Sequence, residues 1–510
     1  MTPKPRLLLA LGLAAPLAAP AAAEDACRAL ADLRINDVNM LSAVPVAATE
    51  DLPAFCSVRG YVRPAINFEI RLPEDWNGGF YMAGCGGFCG QLLSDAPGFV
   101  NAMNHGLRRG YAAATMDGGH WGSSSIDARW AYHDRLAEVD WGERAVRVTA
   151  ELSQRVIADF YGDAPSPRIF AGCSTGGRQA QMLALRSPEL FDGILNGAPA
   201  MDYTGLVGSW MASVVQANTD ADGGRIIGPE DVGLIRDHVL AQCDAADGLE
   251  DGLISDPDAC TVDWAPIACG EGTNEPCLSE AQVDTLVAWT ETGAVTSEGE
   301  RLYPATVPLG SEPFWGLWLT GFEGGGGGLV PLFNQNFLQF MAFRDDPGEA
   351  FTSLDFDLDS HPAVLEFMAA IYNADTPDLS DFAEAGGRMI TWHGLADAIV
   401  PHGKTVAWME GLRAAHGADL DAVNRLFLIP GMDHCGIQPG PGITSAGFDP
   451  LTALEEWLAT DTAPEALTAT RRDADGNVDW ERPVCAWPAR AEHDGEGDWR
   501  AADSFACVSQ

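Results

Sequence analysis

The chain has 510 residues, of which 73 are Asp or Glu and 30 are Lys or Arg, so its formal net charge is −43. A chain this acidic does not bind nucleic acid through a basic face, because such binding depends on Lys and Arg neutralising phosphates. The length exceeds that of one ordinary domain and predicts an insertion or a second domain. The surplus negative charge favours solubility and raises the expectation of a bound divalent cation.

Residues 1–23 have the pattern of a secretory signal peptide. Lys4 and Arg6 precede an apolar stretch that continues to about Leu17, and three alanines ending at Ala23 form a small-residue cleavage site. Cleavage would remove both positive charges and take the net charge from −43 to −45. No later stretch is long and apolar enough to span a bilayer. The sequence therefore predicts a secreted or periplasmic protein with no membrane span.

A glycine-rich loop follows the apolar segment 80–83, which we predict to be an early strand. The loop covers residues 84–90 and has the sequence GCGGFCG. It can offer backbone N–H groups, here those of Gly86 or Gly87, to a negatively charged oxygen. A phosphate-binding loop is a competing interpretation, but no Gly-Lys-Ser/Thr follows and no basic residue is near. An ordinary tight turn is the third interpretation.

Residues 172–176, Gly-Cys-Ser-Thr-Gly, match the Gly-x-Ser-x-Gly nucleophile elbow. Small residues flank the serine in that turn so that its Oγ stands clear of the backbone. An apolar strand precedes the turn at 167–172, and a helix is predicted over 178–186. This context favours Ser174 as a nucleophile and the N–H of Thr175 as an oxyanion donor. A glycine-rich turn that happens to contain serine is the competing interpretation.

Two later strand ends offer an acid and a base. The apolar segment 389–393 leads into a turn that ends on Asp397, and a helix is predicted over 405–416. The strand 425–429 then leads through a Pro-Gly turn to His434. Serine, aspartate and histidine would follow one another in the order found in α/β-hydrolases, with both later groups at strand ends. The sequence therefore predicts an α/β-hydrolase fold, with a mostly parallel sheet between helices.

Two other histidines compete with His434 for the role of base. His393 precedes the acid turn, and His402 lies shortly after Asp397. His393 lies before that turn and His402 lies close after it, so we interpret both as structural, hydrogen-bonding histidines.

Cysteines flank both the predicted nucleophile and the predicted base. Cys173 precedes Ser174, and Cys435 follows His434. If the two residues share one catalytic centre, a disulfide between the cysteines becomes plausible, because bridged Cα atoms lie about 4.4–6.8 Å apart. Such a bond would hold nucleophile and base together.

The alternation of predicted strands and helices is interrupted between these two regions, over residues 201–387. We predict that this segment is a lid inserted ahead of the acid turn, and that 24–200 together with 388–510 form the catalytic domain. Its aromatic residues could form a wall for an aromatic ligand. Spacings of three and four residues equally suit the buried face of a helix, and we favour a core role for most of them. The residues concerned are Trp315, Trp318, Phe322, Phe333, Phe337, Phe340 and Phe343.

On these motifs the chain resembles the tannase and feruloyl esterase family of α/β-hydrolases, which includes the mono(2-hydroxyethyl) terephthalate hydrolases. The resemblance covers nearly the whole chain after the signal peptide and is strongest at residues 172–176, at Asp397 and at the His434-Cys435 pair. It implies that Ser174 is the nucleophile, Asp397 the acid and His434 the base. Calcium in the lid and a disulfide framework are implied as well.

Twelve cysteines, an even number in an exported chain, predict disulfide bonds. A zinc-thiolate site is disfavoured, because no paired Cys-x-x-Cys units occur. The sequence alone leaves the pairing open, whereas local spacing together with the family resemblance implies six bonds. These are Cys27–Cys56, Cys85–Cys89, Cys173–Cys435, Cys243–Cys260, Cys269–Cys277 and Cys485–Cys507. The two cysteines of the glycine-rich loop are not general in the family.

An acidic loop in the predicted lid, residues 243–253, collects oxygen ligands of the kind that calcium prefers. Its spacing is not that of an EF-hand. The resemblance implies a structural calcium ion here, and an acidic solvated turn is the alternative. The implied ligands are the side chains of Asp244, Asp247 and Asp251 and the carbonyls of Leu249 and Leu253.

The family resemblance implies that the activity is hydrolysis of small esters of aromatic acids, of the hydroxycinnamic, gallic or terephthalic type. Two other functions stay open, a secreted serine peptidase of the same fold and a non-catalytic, calcium-stabilised binding protein. The sequence does not distinguish among the three acyl groups, and it does not indicate an oligomeric state.

Overall fold

The computed structural model describes residues 20–270, 276–473 and 475–509. The predicted signal peptide lies outside the described residues as far as residue 19. None of the helices in the described part is long and apolar enough to cross a membrane.

A nine-stranded sheet runs through the centre of the described chain. The strands are β1 (Val38–Val46), β2 (Phe55–Val62), β3 (Ile66–Pro73), β4 (Phe80–Ala83), β5 (Ala112–Met116), β6 (Arg168–Cys173), β7 (Gly193–Gly197), β8 (Arg388–Gly394) and β9 (Asn424–Ile429). Across the sheet their order is β1-β2-β3-β5-β4-β6-β7-β8-β9. The pairs from β1 to β5 are antiparallel, and those from β5 to β9 are parallel.

The helices of the described residues connect these strands. They are α1 (Pro20–Ala29), α2 (Met103–Arg108), α3 (Arg135–Val139), α4 (Ala145–Tyr161), α5 (Thr175–Arg186), α6 (Met211–Ala217), α7 (Val232–Cys243), α8 (Glu280–Val287), α9 (Leu329–Phe340), α10 (His361–Val364), α11 (Glu366–Tyr372), α12 (Ser380–Glu384), α13 (Gly403–His416) and α14 (Pro450–Thr460). After α14 the chain forms two antiparallel pairs, β10 (Ala466–Arg472) with β11 (Val478–Cys485) and β12 (Arg490–His493) with β13 (Phe505–Val508).

Helices cover both faces of the sheet. In β4, Phe80 and Met82 belong to one buried apolar cluster, whereas Tyr81 and Ala83 belong to another. Successive side chains of a strand point to opposite faces, so the two clusters lie on opposite sides of the sheet. Residues of α4 and α5 belong to the first cluster, and residues of α2 and α14 belong to the second. This is the α/β-hydrolase fold that the sequence predicts, and burial on both faces explains the continuous apolar runs of the strands.

The elements next to the candidate site form where the sequence predicts them, with small differences in bounds. The helix after the elbow begins at Thr175, not at residue 178. The elbow itself starts the helix, because the carbonyl of Ser174 accepts the N–H of Arg178 at 3.0 Å. Similarly, α13 begins at Gly403, two residues before the predicted start.

The segment 201–387 contributes helices but, in its described part, no strand to the central sheet. Trp315, Phe337 and Phe340 are buried, which confirms the core role favoured for most of the aromatic residues. Phe322 differs, since it is 60% exposed. The division of the chain into a catalytic domain and a lid domain stays a prediction.

All twelve cysteines are paired in the structure. The pairs coincide with those that the resemblance implies: Cys27–Cys56, Cys85–Cys89, Cys173–Cys435, Cys243–Cys260, Cys269–Cys277 and Cys485–Cys507. The third of these joins positions 262 residues apart, and thereby ties the loop after β9 to the end of β6.

Candidate active site

Ser174 occupies a strained turn between β6 and α5. Its backbone has φ 65° and ψ −123°, a conformation that non-glycine residues rarely adopt. Close packing explains the flanking glycines, because a Cβ at Gly172 would lie 2.3 Å from the carbonyl oxygen of Gly176. The Ser174 side chain is half-buried, and no described residue hydrogen-bonds to its hydroxyl. The turn thus presents Oγ at the carboxyl end of the parallel strands.

His434 and Asp397 form a buried pair at the same end of the sheet. The distance from His434 Nδ1 to Asp397 Oδ2 is 2.7 Å. Asp397 is fully buried, and its Oδ1 accepts the backbone N–H groups of Ile399 and Val400 at 3.1 and 2.8 Å. A carboxylate can only accept, so Nδ1 carries the proton. Nε2 of His434 is left with its lone pair, which is the form that a general base requires.

The charges of this pair shift both pKa values. Burial raises the pKa of Asp397, but the charges and hydrogen bonds of His434 and His393 outweigh that effect and hold the pKa well below its ordinary value. Burial lowers the pKa of His434, while the Asp397 carboxylate, the hydrogen bond to it and the nearby Asp433 together raise the pKa above its ordinary value. Asp397 is therefore ionised at neutral pH, and His434 is a stronger base than a free histidine.

The two competing histidines make their shortest hydrogen bonds to other groups, although His393 Nε2 also lies 3.5 Å from Asp397 Oδ2. His393 is fully buried, and its Nε2 lies 2.6 Å from the carbonyl of Val400, so Nε2 carries the proton. Its Nδ1 accepts from the hydroxyl of Thr405 at 2.9 Å. His402 Nε2 lies 3.1 Å from Asp258 in the segment 201–387. Both rings therefore have structural hydrogen bonds, as the sequence interpretation expects.

A disulfide joins the elbow to the loop that carries the histidine. The Cα atoms of Cys173 and Cys435 are 6.1 Å apart. Cys173 directly precedes Ser174, and Cys435 directly follows His434. The bond therefore restricts how far the serine and the imidazole can separate. No hydrogen bond joins Ser174 Oγ to His434 in the structure, and such contacts are often long in proteins without a bound substrate.

The glycine-rich loop lies against the elbow. The hydroxyl of Thr175 donates to the carbonyl of Gly87 at 2.7 Å, and the N–H of Cys85 donates to the side chain of Gln179 in α5 at 3.1 Å. Gly86 and Gly87 are half-buried. Within the described chain, no acceptor pairs with the backbone N–H groups of Gly86, Gly87 or Thr175. Unpaired N–H groups next to a candidate nucleophile are what an oxyanion hole provides.

An aromatic residue of the segment 201–387 lies against the candidate base. Trp318 contacts His434 edge to face, with ring centroids 5.5 Å apart and planes at 89°. The indole is 3% exposed, so it covers one side of the imidazole. The segment predicted to be a lid therefore touches the candidate base.

The acidic loop 243–253 has the donor chemistry of a calcium site. Gly248 and Gly252 have positive φ and let the loop fold back on itself. The carbonyls of Leu249 and Leu253 accept no hydrogen bond from any described residue. All three carboxylates have hydrogen-bond partners: Asp244 accepts the N–H groups of Asp251 and Gly252, Asp247 accepts the N–H of Leu249, and Asp251 is paired with Arg482. Among the described residues no three acidic, histidine or cysteine side chains surround one point.

This loop also supports the candidate base. Leu253 is 2% exposed and packs so closely on the turn before His434 that a Cβ at Gly431 would lie 2.5 Å from its Cδ2. The oxygen atoms of the loop are of the type that calcium prefers, and the packing of Leu253 connects the loop to the turn before His434. Calcium binding itself stays a prediction.

Sequence reasoning missed the polar side chains that hold the elbow and the glycine-rich loop. Asn101 hydrogen-bonds the backbone of Cys173, and Gln179 holds the N–H of Cys85. These contacts join positions 72 and 94 residues apart. No local motif marks either residue, and the only signal is the polarity of Gln179 on the helix that follows the elbow.

Comparison with known proteins identifies the family. A family model described as tannase and feruloyl esterase matches residues 51–508. An uncharacterized esterase of Xanthomonas campestris pv. campestris is 31% identical over 99% of this chain and 94% of its own, and the mono(2-hydroxyethyl) terephthalate hydrolase of Piscinibacter sakaiensis is 29% identical over 96% and 92%. The crystal structure of feruloyl esterase B from Aspergillus oryzae has a TM-score of 0.83 at 24% identity, covering 95% of this chain and all of that one. The chain therefore belongs to the tannase and feruloyl esterase family and is a carboxylic ester hydrolase.

Proposed function

We propose that this enzyme is a serine esterase that hydrolyses esters of aromatic acids through an acyl-enzyme. One observation carries the proposal: buried Asp397 orients His434 on a loop that the Cys173–Cys435 disulfide ties to the elbow of Ser174. Nucleophilic acyl transfer requires an accessible serine and a histidine that a carboxylate orients, and this site contains all three groups.

In the proposed reaction, His434 Nε2 takes the proton of Ser174 as Oγ attacks the ester carbonyl carbon. The N–H groups of Thr175 and of Gly86 or Gly87 donate to the resulting oxyanion. The protonated ring then gives its proton to the leaving alcohol, and the acyl group stays on Oγ. A water molecule, deprotonated by the same ring, then attacks the acyl carbon. The bond to Oγ breaks, the ring returns the proton to Oγ, and the acid leaves.

Asp397 keeps the imidazole in the reactive tautomer and stabilises its protonated form. Because the neighbouring histidines hold its pKa low in spite of its burial, it stays ionised throughout the cycle. The proton that His434 takes from Ser174 therefore remains on the imidazole and is available to the leaving alcohol.

Labelling with a fluorophosphonate tests the proposal, because the reagent phosphonylates activated serines. We expect one label per chain, on the peptide that contains Ser174. An unlabelled chain would favour the binding-protein alternative. Hydrolysis of aminoacyl amides at rates comparable with those of esters would favour the peptidase alternative.

We expect the enzyme to prefer an aromatic acyl group over an aliphatic one of similar size. Support comes from the names of its relatives, a terephthalate monoester hydrolase and a feruloyl esterase, and from the aromatic Trp318 beside His434. A well-placed aromatic contact contributes about 0.5–1.5 kcal/mol, so two such contacts would raise kcat/KM by about one to two orders of magnitude. Methyl ferulate, methyl gallate, a hydroxyethyl terephthalate monoester and methyl hexanoate, compared in one buffer, measure this preference. Equal values would contradict it and leave a general esterase.

We also propose a structural calcium ion in the loop 243–253, held by Asp244, Asp247, Asp251 and the carbonyls of Leu249 and Leu253. A calcium ion there would supply the positive charge that holds these oxygen atoms together, and the loop packs against the turn at Gly431.

Removal of calcium should lower the melting temperature, because a ligand bound only by the folded state stabilises it, by about 2.7 kcal/mol at a hundred times Kd. The measurement is a melting curve after prolonged incubation with EDTA, then after adding back calcium or, as a control, magnesium. Asp247→Asn should remove most of the calcium effect, since this side chain has only one hydrogen bond to the loop backbone, from Leu249. Identical curves before and after chelation would mean that the loop is an ordinary acidic turn.

We also propose that the protein is exported. The signal-like residues 1–23 and the pairing of all twelve cysteines support an oxidising compartment, either the periplasm or the exterior.

A further inference from the structure

The strand that carries the nucleophile loses its neighbour just before it reaches Ser174. β4 pairs with β6 as far as Ala83 and Ala171, and the N–H of Gly84 still donates to the carbonyl of Ala171. The chain then leaves the sheet to form the glycine-rich loop. Backbone groups alternate between the two sides of a strand, so the N–H and C=O of Cys173 face the side that β4 has left. Unpaired, both groups would be costly in this buried place.

The side chain of Asn101 takes the place of the missing strand. Its Oδ1 accepts the N–H of Cys173 at 3.0 Å, and its Nδ2 donates to the C=O of Cys173 at 3.1 Å. One amide side chain thus reproduces both hydrogen bonds of a neighbouring strand. On the other side of β6, the N–H of Ser174 donates to the carbonyl of Gly197 in β7 at 3.1 Å. The elbow is therefore held from both sides.

Asn101 also touches the loop that carries the candidate oxyanion donors. A Cβ at Gly86 would lie 3.5 Å from Nδ2 of Asn101, and a Cβ at Gly84 would lie 3.3 Å from its Oδ1. On the elbow side, a Cβ at Gly176 would lie only 2.2 Å from the same Oδ1. The amide therefore fills the space between the elbow and the glycine-rich loop.

The hydrogen bonds from Asn101 to Cys173 matter because the backbone of the next residue, Ser174, is strained. A residue in a sparsely populated φ/ψ region costs about 1–3 kcal/mol and persists only where its surroundings hold it in place. Asn101 itself has φ 48°, a left-handed conformation that Asn tolerates better than most residues. An asparagine at this position therefore suits both its own backbone and the two groups of Cys173.

We infer that Asn101 is a positioning residue, which sets the separation between Ser174 Oγ and the oxyanion donors on the glycine-rich loop. The inference rests on the proposed role of Ser174 and deepens it. Asn101 does not contact the reacting atoms; it acts through the backbone of Cys173 and the packing against Gly86.

Two substitutions test the inference. Asn101→Asp keeps the size and the acceptor for the N–H of Cys173 but places a second oxygen against its C=O. Asn101→Gly removes the amide and tolerates the positive φ. A misplacement of about 1 Å can cost about a hundredfold, so we expect kcat per labelled active site to fall by about ten- to a hundredfold, with KM changed less than about threefold.

The pH dependence of Asn101→Asp separates positioning from a general loss of stability. When the introduced carboxyl is protonated, its O–H can donate to the C=O of Cys173 as the amide does. The ratio of its kcat to that of the wild type should therefore rise as the pH falls. Asn101→Gly lacks the carboxyl, and its ratio should stay flat.

Asn218 offers a matched control in the segment 201–387. Its amide makes the same pair of bonds to one residue, accepting the N–H of Ile227 at 2.7 Å and donating to its C=O at 3.2 Å. Asn218→Asp should lower the melting temperature and leave kcat per labelled site within about twofold, because no candidate catalytic group is attached to Ile227.

The inference would be overturned by wild-type kcat in both Asn101 variants, or by an equal loss of kcat in Asn218→Asp. A loss that disappears when rates are divided by the folded fraction from near-UV circular dichroism would overturn it too. The proposed function is tested separately by Ser174→Ala. If that variant is inactive while the Asn101 variants keep full kcat, only the role of Asn101 is wrong.

Discussion

Ser174→Ala is expected to lower ester hydrolysis by at least about a thousandfold, because loss of the nucleophile in a triad of this kind typically costs far more than that. The fold should survive. The serine hydroxyl has no hydrogen-bond partner among the described residues, and the backbone tethers to Gly197 and Arg178 do not involve the side chain. Any residual rate would come from substrate binding and the oxyanion hole.

The measurement is kcat/KM together with fluorophosphonate labelling and a melting curve. Ser187→Ala is the matched control, since Ser187 is buried at the far end of the same helix, α5. The control should keep its activity and its label. Retention of more than about a thousandth of the wild-type rate by Ser174→Ala would exclude Ser174 as the nucleophile.

The fold around the site could be predicted because its signals are local. The segments 167–172 and 425–429 are short apolar runs that end in glycine- or proline-containing turns, and each forms a parallel strand, β6 and β9. Serine, aspartate and histidine each follow the end of a predicted parallel strand, so the sequence already predicts that they lie at the same edge of the sheet. The structure brings His434 and Asp397 into hydrogen-bond contact at that edge.

Contacts between distant segments could not be predicted in the same way. The bond between Asn101 and Cys173 depends on where β4 leaves the sheet and on the path of the chain back to residue 101. Neither residue carries a motif for this contact. It arises from an unpaired backbone position, which becomes visible only once the strands have been aligned.

The roles of the aromatic residues in the segment 201–387 could not be predicted from the sequence either. Trp318 and Phe322 are four residues apart, yet one is 3% exposed beside His434 and the other is 60% exposed. In the sequence both are aromatic residues of the same segment, so residue type and spacing do not distinguish them. Their roles differ because Trp318 packs against a loop more than a hundred residues later in the chain, which composition does not reveal.

Asp397→Asn is expected to lower kcat by about ten thousandfold, the loss found when the carboxylate of a serine triad becomes an amide. The reason lies in the backbone around the carboxyl. Ile399 and Val400 both donate to Oδ1, so the amide oxygen of the variant must occupy that position. The NH₂ group then faces His434 Nδ1, which can only accept from it. The imidazole must carry its proton on Nε2 and has no lone pair for Ser174.

The pH profile gives this prediction a second readout. In the wild type the pKa of His434 is raised, so kcat/KM should increase with pH through a midpoint above the ordinary histidine value of 6.5. Removing the Asp397 charge removes the main cause that raises this pKa, so the midpoint of the residual activity should move to lower pH.

Asp433→Asn is the control: burial raises the pKa of that carboxyl to about 7, and its hydrogen bonds go to Gln438, not to the imidazole. It should keep kcat within about tenfold, because the tautomer of His434 is unchanged. A loss of similar size in both variants would show that general charge near the ring, and not the bond from Asp397, controls the base.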